Sequence, residues 1–114
     1  MSFFSKLTAK SAGDTISAPE ARDRMAQGGG FVLLDVRTPD EYKQVRIKGA
    51  KLLPVDQIPA RAATDLPDKD APILVYCHSG ARAGSAVRML RKMGYSNAVS
   101  FGGIASWPYE TVRG

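Results

Sequence analysis

Cysteine and histidine are nearly missing from this chain, which has one of each, Cys77 and His78. A lone cysteine excludes an internal disulfide. One cysteine and one histidine together exclude a structural zinc site of the cysteine-rich kind. Long apolar runs are missing too. None approaches the ~18 residues that a membrane span needs, and the longest, Phe31 to Leu34 and Ile73 to Tyr76, are strand-length. The first thirteen residues lack acidic side chains and carry Lys6 and Lys10. They hold no continuous apolar core and no small-residue cleavage pattern, so no secretory signal is read and a cytoplasmic, reducing location is expected.

The remaining composition is that of an ordinary globular protein. The 114 residues suffice for one domain and are too few for two. Hydrophobic residues at 44% and charged residues at 24% argue against disorder. Residues 1–13 are expected to be a loosely held lead-in, and 14–114 a single domain. Lys plus Arg exceeds Asp plus Glu by 16 to 11, a formal charge of +5, which favours anionic partners in general. The bases are scattered. Their one dense group, Arg82, Arg88, Arg91 and Lys92, falls on a predicted helix where a solvated face is the default reading. Neither a nucleic acid nor a membrane is expected as partner.

Strand and helix signals alternate, which predicts an α/β fold with a mainly parallel sheet. Ser17-Ala18-Pro19-Glu20 has capping-box spacing and opens a helix to about Gln27, ended by three glycines. Phe31 to Val36 is a continuous apolar strand, hence one buried on both faces. Thr38-Pro39-Asp40-Glu41 repeats the cap with proline at the first helical position, and this helix should end near Arg46. A turn and short strand cover Gly49 to Val55. Asp56 is the expected cap of a short helix to Asp65, with Pro59 in its first turn. Pro72 to Tyr76 is the second buried strand. From Arg82 to Met93, Ala83, Ala86, Val87, Leu90 and Met93 fall on one helical face, stopped by Gly94. A third strand, Asn97 to Phe101, leads to a Gly102-Gly103 turn and a short helical piece, Ile104 to Trp107.

The chemistry concentrates in Cys77-His78-Ser79-Gly80-Ala81-Arg82, between a buried strand and a helix. Open α/β sheets place ligands at the C-terminal ends of their strands. The loop also feeds a helix N-terminus, whose unpaired N–H groups and dipole favour negative charge and so stabilise a thiolate. Gly80 permits a tight turn that aims successive N–H groups at one point. These features suit a cysteine nucleophile and an anionic substrate. The plainer reading is a small core cysteine beside a polar loop histidine.

Five blocks then make the chain similar to the rhodanese family of sulfurtransferases, as a single-domain member. They are Asp35-Val36-Arg37-Thr38-Pro39-Asp40-Glu41-Tyr42, Arg46-Ile47-Lys48-Gly49-Ala50, Tyr76 to Arg82, Met93-Gly94-Tyr95, and Gly102-Gly103-Ile104-Ala105-Ser106-Trp107, all in the family's order. The departures are Arg46 where the second block often starts with histidine, Ala83 where serine often follows the loop arginine, and Phe101 where a charge often precedes the paired glycines. The resemblance implies an open sheet of about five mainly parallel strands with helices on both faces. Four residues separate Cys77 from Arg82, where related dual-specificity phosphatases have five, and the shorter loop suits sulfur rather than phosphoryl chemistry.

The resemblance also implies a sulfurtransferase of the thiosulfate type working through a Cys77 persulfide. Its partners would be a small anionic sulfur donor and a thiol acceptor or acceptor protein, with no metal and no cofactor. Cys77 is then the catalytic residue, and His78, Ser79, Gly80, Ala81 and Arg82 form the substrate-binding loop. Arg82 either binds the donor's sulfonate or pairs inward to hold the loop. Asp35 and Arg37 are expected to brace the loop as a buried ion pair. Trp107 lines the pocket rim or packs in the core, and Gly102 and Gly103 serve backbone turning. The alternatives are a persulfide carrier delivering sulfur to a protein partner and, further off, a small cysteine-dependent phosphatase or arsenate reductase.

Overall fold

A computed structural model of the chain describes residues 13–114. The expected lead-in therefore lies, but for Gly13, outside the described residues. The Ser17 hydroxyl accepts the Glu20 N–H at 3.1 Å and starts α1 (Ala18–Gln27). The capping box does not close here, because the Glu20 carboxylate pairs with Arg24 one turn on, at 2.8 Å. β1 (Val32–Asp35) follows, then α2 (Pro39–Gln44), whose Thr38–Glu41 capping box is complete. α2 ends before Arg46. Val45 is already extended, and Arg46 pairs with Val112 in an isolated antiparallel bridge.

β2 is short (Lys51–Leu52), and a 3-10 turn, Val55–Gln57, runs into α3 (Ile58–Asp65). This corrects the expected cap. Asp56 sits inside the turn, and the residue before α3 is Gln57, with helix-like backbone and no side-chain cap bond. β3 (Ile73–Cys77) and α4 (Ala81–Lys92) carry the Cys77 loop between them. β4 (Ala98–Gly103) continues through the paired glycines and is followed by a 3-10 turn, Ile104–Ser106.

The sheet is wholly parallel, in the order β2-β1-β3-β4. Four strands are found among the described residues rather than about five. Asp14 to Ile16 lies along the outer edge of β4, exchanging two backbone hydrogen bonds of 2.8 Å with Ser100. It forms only a single bridge there, because Ser17 at once turns the chain into α1.

Both faces of the sheet are covered, as continuous apolar strands require. On one face Ile73, Val75 and Cys77 of β3 pack with Ile58 and Ala62 of α3 and with the Ala83, Ala86, Val87, Leu90 stripe of α4. On the other, Leu74 and Tyr76 pack with Ala21 of α1 and with Val99, Phe101 and Trp107. Each fully buried Val, Leu or Ile stabilises the fold by about 1.5–3 kcal/mol. No helix among the described residues is long and apolar enough to cross a membrane.

The strand order fixes where a ligand site belongs. From β1 the chain steps one way to β2, then crosses back to β3 on the other side of β1. The C-terminal ends of β1 and β3, where Asp35 pairs with Tyr76, are the point at which the order reverses. Open α/β sheets leave a crevice there.

Candidate active site

Cys77 is the last residue of β3, 1% exposed, at that reversal point. Its Sγ accepts the backbone N–H of Gly80 at 3.0 Å. Gly80 has φ +117°, a left-handed conformation that a residue with a Cβ adopts only under strain, and this lets the chain turn into α4 within three residues. The first backbone bond of α4 runs from Gly84 N–H to the Gly80 carbonyl, at 3.0 Å. The N–H groups of Ala81, Arg82 and Ala83 thus precede any helical partner, and no side chain caps them. The positive end of a twelve-residue helix opens at the Cys77 loop.

The loop rests on the end of β4. Gly103 has an ordinary extended backbone, so its role is not turning. A Cβ there would run into the His78 carbonyl and lie 2.6 Å from the Ser79 Cα. The Ala105 N–H donates to the same His78 carbonyl at 3.0 Å. Gly102, with φ +98°, does turn the backbone as expected.

Arg82 pairs inward. Its guanidinium meets the Glu41 carboxylate with two hydrogen bonds of 2.8 and 3.0 Å. Glu41 also accepts the Thr38 N–H at 2.9 Å, so one carboxylate caps α2 and ties it to the first turn of α4. The Arg82 bonds hold the Glu41 carboxyl at about 2 despite partial burial, which pushes the other way, and the Thr38 N–H adds to the lowering. The Arg82 guanidinium is held above its ordinary value, first by the Glu41 bond and, among the other charges, by Cys77.

Asp35 and Arg37 form the expected buried ion pair, 0% and 2% exposed. Arg37 Nη2 lies 2.7 Å from Asp35 and 2.6 Å from the Val45 carbonyl, to which it also donates. The Arg37 N–H and Nε both donate to Asp35 Oδ1, at 3.0 and 2.9 Å. Burial opposes the Arg37 charge, but the Asp35 hydrogen bond and charge outweigh it and raise its pKa. The pair closes the turn from β1 into α2 and so sets the position of Glu41; it makes no hydrogen bond to the Cys77 loop itself.

Beside the loop lies a cleft of about 480 Å³, bordered by Arg37, Glu41, Val45, His78, Trp107 and Tyr109 among others. His78 is exposed and is the loop residue that reaches it; Cys77 lies outside its walls. Trp107 lies between core and cleft. It is 8% exposed and packs 5.2 Å from the Phe101 ring, yet it forms a cleft wall. Among the described residues no group of three His, Cys, Asp or Glu could hold a metal ion.

Residues 17–109 match the rhodanese-like domain family. The chain belongs to that family. The thiosulfate sulfurtransferase PspE of Escherichia coli is 36% identical over 81 residues, 71% of this chain and 78% of that protein. A sulfurtransferase of Allochromatium vinosum is 37% identical over 93 residues, 81% of this chain and 85% of that one. The structure of the human single-domain sulfurtransferase TSTD1 superposes with a TM-score of 0.71 at 27% identity, covering 82% of this chain and 93% of that chain. The reaction class of this rhodanese-like chain is sulfur transfer.

The departures from the family pattern acquire physical roles. Arg46 lies 4.6 Å over the Tyr42 ring and donates to the Tyr42 carbonyl, bracing α2. Ala83 is fully buried in the core, so no hydroxyl is needed there. Phe101 wedges between Tyr76 and Trp107. The sequence reading missed Glu41 as Arg82's partner, Gly103 as the seat of the loop, and Tyr109 as a cleft wall. Only Glu41 and Gly103 lay within motif blocks that drew attention to them.

Proposed function

We propose that this protein moves a sulfane sulfur from thiosulfate, or a similar small anion, to a thiophilic acceptor through a persulfide on Cys77. The Cys77 thiolate attacks the donor's outer sulfur. The donor's S–S bond breaks, its electron pair leaves with sulfite, and a Cys77 persulfide remains. An acceptor thiolate or cyanide then attacks the outer sulfur, and Cys77 departs as thiolate. The step as written uses no cofactor.

The observation that carries this reading is the Gly80 N–H on Cys77 Sγ at the uncapped head of α4. Fixed N–H dipoles aimed at developing negative charge need no reorganisation during reaction. In this proposal the donor anion is held by backbone N–H groups from Gly80 to Ala83. Arg82, already bound to Glu41, positions that helix end. Ser79 and Ala81 shape the exposed lip of the loop.

The test is intact mass after incubation with thiosulfate, for the wild type and Cys77→Ser. Gain of one sulfur atom on the wild type alone, removed by cyanide, is the expected result. No gain on either protein overturns the reading.

A further inference from the structure

The cleft beside the loop is far larger than thiosulfate, sulfite or cyanide requires. At about 480 Å³ it falls in the range of small-molecule sites, ~300–1,000 Å³. Its charged members are already neutralised, Arg37 by Asp35 and Glu41 by Arg82. That leaves no free cation in its described lining to recognise an anion, apart from any charge on His78. Its apolar walls are Val45, Ile104, Trp107 and Tyr109, and Gln44 and Thr111 add uncharged polar groups to the lining. The two aromatic rings meet edge to face, with centroids 4.8 Å apart.

This wall is braced before any ligand arrives. The Trp107 Nε1–H donates to the Glu110 carbonyl at 3.2 Å. The Arg22 guanidinium packs over the Tyr109 ring at 4.4 Å and lines the neighbouring groove rather than the cleft. Phe101 supports Trp107 from the core. Pre-set aromatic surface of this kind offers contact area at little cost in ordering.

We propose that this cleft is the acceptor subsite and that it selects a small organic thiol with an aromatic or apolar body. This rests on the persulfide reading of Cys77. The incoming thiolate attacks the outer sulfur of the Cys77 persulfide. The persulfide's S–S bond breaks, Cys77 leaves as thiolate, and a new S–S bond joins the sulfur to the acceptor as an organic persulfide. No outside oxidant or reductant enters. The body of the acceptor lies against Tyr109 and Trp107, and its sulfur approaches past His78, the residue common to cleft and loop.

Two measurements test this. Cys77 is first loaded with sulfur, and its discharge by phenylmethanethiol is compared with discharge by 2-mercaptoethanol. The ratio of rate constants should exceed one by about tenfold, the factor one aromatic contact carries at its upper range. It should collapse toward one in Tyr109→Ala, which removes a wall, and in Thr111→Phe, which places a ring at another position of the cleft lining. A ratio near one in the wild type, or one that neither variant moves, overturns the subsite while leaving the persulfide chemistry intact.

The second measurement needs no sulfur transfer. Trp107 is the sole tryptophan, so its fluorescence reports on the cleft. In Cys77→Ser, phenylmethanethiol should change it saturably, and Thr111→Phe should weaken that binding. Absence of a saturable change overturns the subsite. Failure of Cys77 to load at all would instead sink the functional reading.

Discussion

Asp35→Asn is the sharpest test of how the site is held. The substitution keeps shape but removes a charge from a pair that is 0% and 2% exposed. Asp35 receives the Arg37 backbone N–H, Nε and Nη2, all within 3.1 Å. In the variant the amide oxygen still accepts from Arg37, but the guanidinium stays buried with no opposing charge and with the Val45 carbonyl as its other acceptor. Breaking one partner of such a pair costs about 3–5 kcal/mol, because the other charge is left uncompensated. A domain of this size has roughly 5–15 kcal/mol in total. With a urea m-value of about 1.5 kcal/mol/M, the unfolding midpoint should fall by roughly 2–3 M. Urea denaturation followed by circular dichroism reads this directly. The double variant Asp35→Leu with Arg37→Met should recover most of the loss, since paired apolar replacements of buried ion pairs are often near neutral. A midpoint shift below about 0.5 M for Asp35→Asn would refute the reasoning, as would a double variant no better than the single one.

Gly103→Ala should destabilise by about 1–3 kcal/mol and cut persulfide yield, because its Cβ displaces the His78–Ser79 backbone; urea titration and intact mass check the two effects. Glu41→Gln should cost about 1 kcal/mol at pH 7, a figure discounted because both partners are about a third exposed. The Glu41 carboxyl lies at about 2 in the fold against an ordinary 4.5, so its contribution is full above pH 4.5 and lost as pH falls toward 2. Stability of wild type and variant should therefore converge across that window, and a gap at pH 2.5 as large as at pH 7 would count against it. Tyr95→Phe should cost about 1–2 kcal/mol, measured by thermal unfolding, because the buried hydroxyl lies 2.7 Å from the Leu66 carbonyl and 3.0 Å from that of Ala62.

What could be read in the sequence was local. Phe31 to Val36 and Pro72 to Tyr76 announce buried parallel strands through unbroken apolar runs, and β1 and β3 lie within a residue of those bounds. Thr38 and Glu41 announce a cap, and both halves of it form. Cys77 between a strand and a glycine-started helix announces the reversal point of the sheet. What could not be read was set by tertiary geometry. The Arg82–Glu41 pair joins residues 41 apart, and nothing in either motif names the other. Gly103 looks like a turning glycine until the loop packed on it is seen. Asp56 fails as a cap because the preceding turn is already helical, and Glu20 fails to close its box because Arg24 competes for it. Tyr109 and Thr111 lie beyond the last motif, and only folding brings them against the residues of α2.

Arg37 and Arg82 are both bound to carboxylates, although the chain as a whole carries +5. This arrangement suits the proposed reaction, whose donor and first product are both small anions. A free arginine would grip thiosulfate and sulfite alike. Such uniform binding lowers the ground state as much as the transition state and slows release of the product. Backbone N–H groups at the head of α4 act differently. They are fixed by Gly80 and by the seat at Gly103, and they favour charge where it gathers on sulfur during transfer. In the proposed reaction Asp35 and Glu41 are positioning residues that touch no substrate. One sets the turn that positions the other, and the other takes the charge of Arg82 out of the site while keeping its position at the helix head. With both arginines paired, the described lining of the neighbouring cleft keeps neither guanidinium free, and its Val45, Ile104, Trp107 and Tyr109 walls are what the proposed acceptor would meet.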